Sequence, residues 1–317
     1  MTSDNHEPRA TREGSRVALV TCADIPDLEG DDRLVIDPLR AAGAAAEPVV
    51  WDAPADWAAY DLVVLRSTWD YPARRDQFVA WAHGVPALAN PADVVEWNTD
   101  KRYLRDLAAA RVPTVPTTFV EPGPAEGWVA EGWALHGAQV VLKPAVGAGS
   151  VDAGRYRLRD AQDRELFDAH LSRLLASGRT AMLQPYLRNI ETDGETALLF
   201  LAGPDGLAYS HTVGKSPLLE GPAQDIAGLY KEERIGPREA TAAQRDVADR
   251  VLAAVPGGPK RLLYARVDLV PDDDGSPVLL ELELTEPSLF LGYAAGAPER
   301  FAAAIAARAS ARRRPYP

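Results

Sequence analysis

The sequence is short of cysteine, of positive charge and of long apolar runs. Its 317 residues contain one cysteine, Cys22, which excludes an intrachain disulfide and a cysteine-based zinc site. Lys and Arg number 34 against 46 Asp and Glu, a formal charge of −12, whereas nucleic-acid binding needs a basic surface. No apolar run approaches the roughly 18–20 residues of a membrane helix. We therefore expect a globular protein of about two or three domains that binds neither nucleic acid nor membranes.

Both ends of the chain lack an apolar period. Residues 1–15 mix charges with Gly and Pro, and residues 308–317 are rich in Arg, so we expect a disordered leader and a disordered tail. The leader also lacks the apolar core of a signal peptide. Together with the single cysteine, this pattern favours a cytoplasmic location.

Residues 16–97 alternate apolar runs with a helical stretch. The runs cover residues 17–21, 48–51 and 62–65, and a helix is expected over residues 32–42. Such alternation indicates βαβ units, and hence an N-terminal α/β domain with an open parallel sheet. Ligands of open sheets bind beyond the carboxyl ends of the strands.

Polar clusters follow two of these strands at that edge. Arg66 comes directly after the third run, and its planar guanidinium can bind a substrate carboxylate through two parallel hydrogen bonds. Asp24, after the first run, and Asp70 are candidates for binding a substrate ammonium group. The alternative is that Arg66 forms a structural ion pair with Asp70 or Asp24.

The remaining chain predicts two α+β lobes, residues 98–187 and 188–307. In the first lobe, Thr99 is a candidate N-cap for a helix that runs through Lys101 to Ala110. Short extended runs and a second helix follow it.

The second lobe contains a hairpin signal. Residues 262–270 and 278–284 are apolar runs joined by a turn rich in Asp and Gly. The irregular segment 216–237 predicts a loop long enough to cover an active site.

Several familiar motifs fail on their spacing. The run Gly147-Ala148-Gly149-Ser150 would need a third glycine where Asp152 stands, so the dinucleotide fingerprint is incomplete. The run Gly214-Lys215-Ser216 would need its first glycine at Tyr209, so it is not a Walker A loop. The five histidines have no metal-ligand spacing, and the sequence has no Gly-x-Ser-x-Gly elbow. Serine and zinc hydrolases therefore lack support.

A lysine at the end of an apolar run lies next to a flexible loop. Lys143 ends the run, and the glycines of residues 147–150 follow within seven residues. An ammonium group and free backbone N–H groups together suit a nucleotide phosphate. The alternative is a solvated lysine at a strand end.

The hairpin carries charged residues at period two in otherwise apolar strands. Glu281 and Glu283 lie on the same face of one arm, and Asp268 and Arg266 share a face of the other. Converging carboxylates repel each other unless a cation lies between them, and oxygen ligands of this kind suit Mg²⁺. The alternative is a solvent-exposed strand face.

The order of these features resembles that of the ATP-grasp ligases over residues 17–307. That fold implies a pre-ATP-grasp domain followed by two lobes that clasp ATP. The ordered features are Lys101, Lys143 with its glycine loop, Gln184-Pro185-Tyr186-Leu187, Glu191, Arg266-Val267-Asp268 and Glu281-Leu282-Glu283.

The resemblance implies roles for these residues in binding nucleotide and metal. Lys101 and Lys143 contact the phosphates, beneath a loop that includes Gly147, Gly149 and Ser150. The adenine hinge comprises Gln184, Pro185, Tyr186 and Leu187, and Glu191 binds the ribose. One or two Mg²⁺ ions, which Mn²⁺ can replace, are held by Asp268, Glu281 and Glu283.

Two departures from the family pattern stand out. Many ATP-grasp enzymes have Asn where this chain has Glu283, which leaves the number of metal ions open. The arginine usual after the ribose acid is not evident near Thr196, so Lys215 and Arg266 become the catalytic candidates for contact with the transferred phosphate.

Four segments resemble more narrowly the O-ureidoserine cyclo-ligases of D-cycloserine biosynthesis: residues 21–27, 66–71, 97–101 and 283–289, with Ser288 as a further substrate-binding candidate. This implies an ATP-dependent ligase that forms an acyl phosphate of a small amino-acid-like substrate and closes a ring through a nitrogen, for antibiotic biosynthesis. An intermolecular amide ligase and a non-catalytic ATP-binding protein are the alternatives, and a dinucleotide reductase is weakened by Asp152. A homodimer is compatible with this interpretation.

Overall fold

The computed structural model describes residues 14–123, 139–217, 221 and 234–313. They form three sheets with helices packed on them. An N-terminal parallel sheet has the order β2-β1-β3-β4, from strands β1 (Ser15–Thr21), β2 (Ala44–Val50), β3 (Leu62–Ser67) and β4 (Leu88–Ala89). The predicted open parallel sheet is thus confirmed.

The helix predicted over residues 32–42 is two short helices. Helix α1 covers Gly30–Arg33 and helix α2 covers Ile36–Ala41. Pro38 has no amide hydrogen to donate to the carbonyl of Leu34, which explains the break between them. Helices α3 (Arg75–Gly84) and α4 (Ala92–Asn98) complete this part of the chain.

The central sheet is antiparallel with the order β5-β8-β6-β7. Its strands are β5 (Thr118–Val120), β6 (Gln139–Pro144), β7 (Gly154–Arg157) and β8 (Ala181–Pro185). Helix α5 (Tyr103–Ala109) precedes it, and helix α6 (Ala161–Ala176) packs its Phe167, Leu171 and Leu174 on the sheet. Asp160 caps α6 by accepting from Gln162 N and Asp163 N.

Lys101 does not lie in a helix, contrary to the prediction. Thr99 is the C-cap of α4, and α5 begins only at Tyr103, so Lys101 lies in the turn between them. Its amide donates to Ala145 O at 2.9 Å. This bond fixes the turn to the chain that leads from β6 into the glycine loop.

The C-terminal sheet is antiparallel with the order β11-β10-β9-β12-β13. Its strands are β9 (Glu195–Gly203), β10 (Gly206–Lys215), β11 (Ile235–Pro237), β12 (Tyr264–Pro271) and β13 (Pro277–Glu283), with helices α7 (Ile190–Asp193), α8 (Ala242–Ala253) and α9 (Ala297–Arg313). The predicted hairpin is β12-β13. Within the predicted loop 216–237, residues 235–237 form β11 instead, and residues 218–220 and 222–233 lie outside the described residues.

The predicted disordered tail was wrong for residues 308–313, because helix α9 continues to Arg313. Ala309 is buried, and Arg308 donates to Arg261 O at 3.2 Å and to Leu262 O at 3.0 Å. Phe301 and Ile305 of α9 belong to a hydrophobic core shared by the N-terminal and C-terminal sheets. The helix therefore fastens these two sheets together. No helix in the described ranges is both long and apolar enough to cross a membrane.

Candidate active site

A cavity of about 510 Å³ lies between the central and C-terminal sheets and extends to loops of the N-terminal sheet. Its size is typical of small-molecule sites, roughly 300–1,000 Å³. Most of the residues predicted to bind nucleotide, metal, phosphate or substrate line it: Lys101, Lys143, Gly147, Gly149, Ser150, Gln184, Pro185, Tyr186, Leu187, Lys215, Arg266, Asp268, Glu281, Glu283 and Ser288.

The hairpin register brings its charged residues together in two facing pairs. Asp268 on β12 lies opposite Glu281 on β13, and Arg266 lies opposite Glu283. Directly opposite residues of an antiparallel pair project from the same face of the sheet. This face lines the cavity, so the alternative of a solvent-exposed strand face is wrong.

Asp268 is held between two cations. Arg266 donates from Nε to Asp268 Oδ1 at 2.9 Å and from Nη2 to Oδ2 at 2.8 Å, and Lys215 Nζ lies 3.3 Å from Oδ2. Burial alone would raise the pKa of Asp268, but Arg266 and Lys215 outweigh it and hold the pKa well below its usual range. Arg266 also binds Glu283 Oε1 and donates to Ser288 O at 3.1 Å.

Glu281 and Glu283 differ in their electrostatic balance. Burial opposes ionisation of Glu281, but Lys101, whose Nζ lies 3.1 Å from Glu281 Oε1, and Lys143 lower its pKa. Burial raises the pKa of Glu283 to about 7, and the charges of Asp268 and Glu281 offset the attraction of Arg266. Glu283 is therefore the most readily protonated of the three hairpin carboxylates.

The hairpin carboxylates have the chemistry to hold a divalent cation. Within the described ranges no three His, Cys, Asp or Glu side chains are grouped closely enough to hold a metal, and the three predicted ligands are paired with Lys or Arg. The donor set nevertheless consists of carboxylate oxygens, the ligands that Mg²⁺ prefers. Binding a cation there requires the paired side chains to move apart.

Lys143 and Lys101 enter the cavity with different partners. Lys101 Nζ donates to Gly147 O at 2.7 Å in addition to its ion pair with Glu281. The side chain of Lys143 has no hydrogen bond or ion pair to any residue that the structure describes. Burial lowers the pKa of Lys143, and the charges of Lys101 and Lys215 act in the same direction. An ammonium group that is partly desolvated and unpaired is suited to an anionic ligand.

The glycine loop is fixed to helix α6 and to the segment after it through Asp152. Gly149, Ser150 and Asp152 have positive φ angles of 61°, 58° and 60°, a conformation that only glycine adopts without strain. The Asp152 carboxylate binds Arg173 and Arg179, the latter at 2.7 Å, and lies 3.2 Å from His170 Nε2. The residue that breaks the dinucleotide fingerprint therefore anchors the loop.

The part of the cavity nearest the hinge is apolar. Tyr186 N donates to Gln139 O at 2.8 Å, and Gln184 Nε2 donates to Thr117 Oγ1 at 2.9 Å, which fix the hinge against neighbouring strands. The apolar walls come from both lobes: Val115, Val141, Leu187, Ile190, Val270 and Leu280. A flat base fits between such walls.

Glu191, predicted to bind the ribose, does not line the cavity. Its carboxylate accepts from Arg155 Nη1 at 2.6 Å and from the Tyr186 hydroxyl at 2.8 Å. Arg155 in turn stacks 3.5 Å from the centre of the Tyr186 ring. These contacts hold the side chain against the hinge, and its role in binding the ribose stays a prediction.

Arg66 was predicted to anchor the substrate, and the structure contradicts this. It is fully buried and absent from the cavity lining. Its Nε donates to Asp32 Oδ1 at 2.8 Å and its Nη2 to Pro287 O at 2.6 Å. The alternative of a structural ion pair is right in kind, but the partner is Asp32 rather than Asp70 or Asp24.

Asp24 and Asp70 do not reach the cavity either. Asp24 is exposed, and Asp70 accepts from Trp51 Nε1 at 3.0 Å and from Arg74 Nη2 at 2.6 Å. The cavity is lined instead by Trp69 from the loop after β3, by Glu29 and Asp31 at the start of α1, and by Glu286, which follows the hairpin. The polar clusters after the strands lie near the cavity, but the three predicted side chains do not face it.

The chain is similar to proteins of known function over most of its length. A family model described as the N-terminal domain of D-cycloserine synthetase DcsG matches residues 17–91. The cycloserine biosynthesis protein DcsG of Streptomyces lavendulae is 37% identical over 304 residues, 92% of this chain and 98% of that protein. The crystal structure of D-cycloserine synthetase DcsG has a TM-score of 0.81 and 35% identity, covering 93% of this chain and 99% of that one.

More distant structures share the fold. A RimK domain ATP-grasp protein from Sphaerobacter thermophilus DSM 20745 has a TM-score of 0.63 at 20% identity, over 92% of this chain and 99% of that one. D-alanine–D-alanine ligase from Bacillus anthracis, in complex with ATP, has a TM-score of 0.62 at 14% identity, over 94% of this chain and 99% of that one. The predicted ATP-grasp fold is thus confirmed.

Proposed function

Because the chain belongs to the D-cycloserine synthetase family and is an ATP-dependent ligase, we propose that it closes a ring in a small amino-acid-derived carboxylate such as O-ureidoserine. The reaction forms ADP and an acyl phosphate from ATP and the substrate carboxylate. A nitrogen of the same molecule then attacks the acyl carbon, the new C–N bond closes the ring, and phosphate leaves with the electron pair of the broken C–O bond while the nitrogen loses a proton.

The nucleotide base occupies the apolar slot beside the hinge, and the triphosphate extends toward the glycine loop. Lys143 and Lys101 contact the phosphates, because both ammonium groups enter the cavity next to Gly147–Ser150. Charge-assisted contacts of this kind position the phosphate and neutralise charge during transfer.

The hairpin face lies where the phosphate transfers. Asp268, Glu281 and Glu283 would hold one or two Mg²⁺ ions, which would neutralise phosphate charge. In the nucleotide-free protein, Arg266 and Lys215 form ion pairs with these carboxylates. When the carboxylates are neutralised by Mg²⁺ instead, Arg266 and Lys215 are available to contact the transferred phosphate. Catalysis then rests on positioning and electrostatics and needs no covalent protein nucleophile.

The observation that supports this function best is the facing register of Arg266 with Glu283 and Asp268 with Glu281, directly across a cavity that Lys101 and Lys143 also line. Burying four charges, or half-burying them, on one strand pair is costly because they lose their solvation. A non-catalytic nucleotide-binding protein or a structural domain does not require such an arrangement.

The test is ADP release from ATP and Mg²⁺ with a panel of amino-acid-derived carboxylates, followed by the mass of the product. We expect release with O-ureidoserine and a monomeric cyclic product. A product that joins two substrate molecules would identify an intermolecular amide ligase. ATP binding without release by any carboxylate would identify a non-catalytic protein.

A further inference from the structure

Glu286 lies where the N-terminal loops meet the segment after the hairpin. It lines the cavity together with Trp69, and Trp69 Nε1 donates to Glu286 O at 3.1 Å. The buried Tyr71 hydroxyl donates a hydrogen bond to the Glu286 carboxylate. Neither the sequence motifs nor the phosphate chemistry above assigns this side chain a role.

The backbone around Glu286 is fixed on both sides. Arg66 donates to Pro287 O at 2.6 Å, and the Tyr264 hydroxyl donates to Thr285 O at 2.8 Å. With the Trp69 bond, three consecutive carbonyls are held by three different side chains. A carboxylate carried on such a rigid segment is preorganised for one ligand position.

The other carboxylates of the cavity already have strong partners. Two accept backbone N–H groups, and four are paired with Lys or Arg. The first two are Glu29, with Asp31 N, and Asp31, with Leu291 N and Gly292 N. The other four are Glu195, Asp268, Glu281 and Glu283. Glu286 forms no ion pair with the residues that the structure describes, and a neutral phenol is its recorded donor.

The chemistry of the proposed substrate supplies the missing cation. When the carboxylate of an α-amino acid is activated, its own α-amine could close only a three-membered ring, so the nitrogen that reacts must come from the side chain. The α-amine remains a spectator and, as an ammonium ion, needs a negative partner to avoid a desolvation penalty.

On the basis of the proposed function, we propose that Glu286 binds the α-ammonium group of the amino-acid substrate and so orients the carboxylate toward the phosphate. Burial, followed by the charge of Glu283, raises the pKa of Glu286 to about 8 and outweighs the opposing charge of Lys101, which forms no ion pair with Glu286. A cation beside the carboxylate offsets both effects. The Tyr71 hydroxyl fixes the orientation of the carboxylate.

The test compares O-ureidoserine with its counterpart that has hydrogen in place of the α-amine, 3-(ureidooxy)propanoate. In Glu286→Gln we expect KM for O-ureidoserine to rise about 10- to 100-fold, the usual value of a hydrogen bond to a charged group, while KM for ATP stays within about twofold. The preference of the wild-type protein for the amine-bearing compound should nearly vanish in this variant. The matched control is Glu29→Gln, which removes another cavity carboxylate and keeps an oxygen to accept from Asp31 N; it should retain the preference.

Calorimetric binding of the two compounds in the presence of ADP separates this inference from the proposed reaction, since it needs no turnover. Weaker binding of O-ureidoserine to Glu286→Gln, with unchanged binding of the deaminated compound, supports the inference even if no product forms. Equal binding of both compounds to the wild-type protein overturns it. An equal loss of ATP and substrate affinity in Glu286→Gln also overturns it, because that result indicates a structural role.

Discussion

The two cavity lysines should separate phosphate binding from protein stability. Replacing either by Met removes one ammonium group and keeps most of the apolar side-chain volume. In Lys101→Met, Glu281 loses a partner at 3.1 Å and Gly147 O loses a donor at 2.7 Å. In Lys143→Met, no hydrogen bond or ion pair within the described residues is lost, and an unfavourable burial of charge is removed.

The magnitudes follow from these contacts. A buried or half-buried carboxylate left unpaired costs about 1–3 kcal/mol, so Lys101→Met should destabilise the nucleotide-free protein by that amount. Lys143→Met should leave stability unchanged or raise it slightly. A difference of about 2 kcal/mol corresponds to a gap of roughly 4 °C in melting temperature for a chain of this size. Both variants should weaken ATP binding by about 2–4 kcal/mol, or roughly 30- to 1,000-fold.

Thermal unfolding without nucleotide and calorimetric titration with ATP and Mg²⁺ measure the two effects separately. The exposed Lys260 provides the control, since Lys260→Met should change neither. The reasoning is refuted if Lys143→Met lowers the melting temperature as much as Lys101→Met does, or if Lys143→Met binds ATP with wild-type affinity.

Three further predictions concern other charged groups. Arg66→Lys should lower the free energy of unfolding by on the order of 3 kcal/mol and raise KM for both ATP and substrate, because it breaks a buried network of hydrogen bonds. A stable Arg66→Lys variant with a raised KM for the substrate alone would indicate that Arg66 binds the substrate after all. At limiting Mg²⁺, Asp268→Asn, Glu281→Gln and Glu283→Gln should all lose activity. In metal-free thermal unfolding only Glu283→Gln should be stabilised, since the other two remove a carboxylate whose ionised form is stabilised by neighbouring Lys or Arg; unchanged Mg²⁺ dependence in all three would exclude the site. In the folded protein the pKa of Glu283 is raised from 4.5 to about 7, and that of Glu286 from 4.5 to about 8. Between pH 4.5 and these raised values, the folded protein therefore binds more protons than the unfolded chain does. The contribution of these two groups to stability is therefore full below pH 4.5 and is lost as the pH rises through about 7 and 8. In urea titrations from pH 5 to 8, the free energy of unfolding should fall less steeply with pH in Glu286→Gln than in the wild-type protein.

Local pattern was sufficient to predict the hairpin site. Because side chains alternate along a strand, the period-two spacing of Glu281 with Glu283 and of Arg266 with Asp268 fixed which residues share a face. A short turn then left few registers for the two arms, and the structure pairs these residues directly. The same kind of local evidence placed Lys143 at a strand end beside its loop.

Local pattern could not identify the partners of charged residues in the N-terminal loops. A strand end predicts proximity to the ligand edge, yet Arg66 is bound by Asp32 of helix α1 and by the carbonyl of Pro287, which is 221 residues away in sequence. Glu191 likewise is occupied by Arg155, 36 residues before it. Ion pairs form between residues that are close in space, and spacing in the sequence does not indicate which distant residue becomes the partner.

The sequence by itself determined the family, the order of sheets and helices, and the charged face of the hairpin, because each depends on short-range periodicity or on a resemblance spread along the chain. Only the tertiary structure decided which side chains face the cavity. The packing of α9 across two sheets ordered an Arg-rich segment that looks disordered by composition. The meeting of the N-terminal loops with residues 285–287 left Glu286 facing the cavity without an ion pair to any residue that the structure describes. Both results depend on contacts between segments that are far apart in the chain, because the packing of such segments determines both which side chains are buried and which charges are paired.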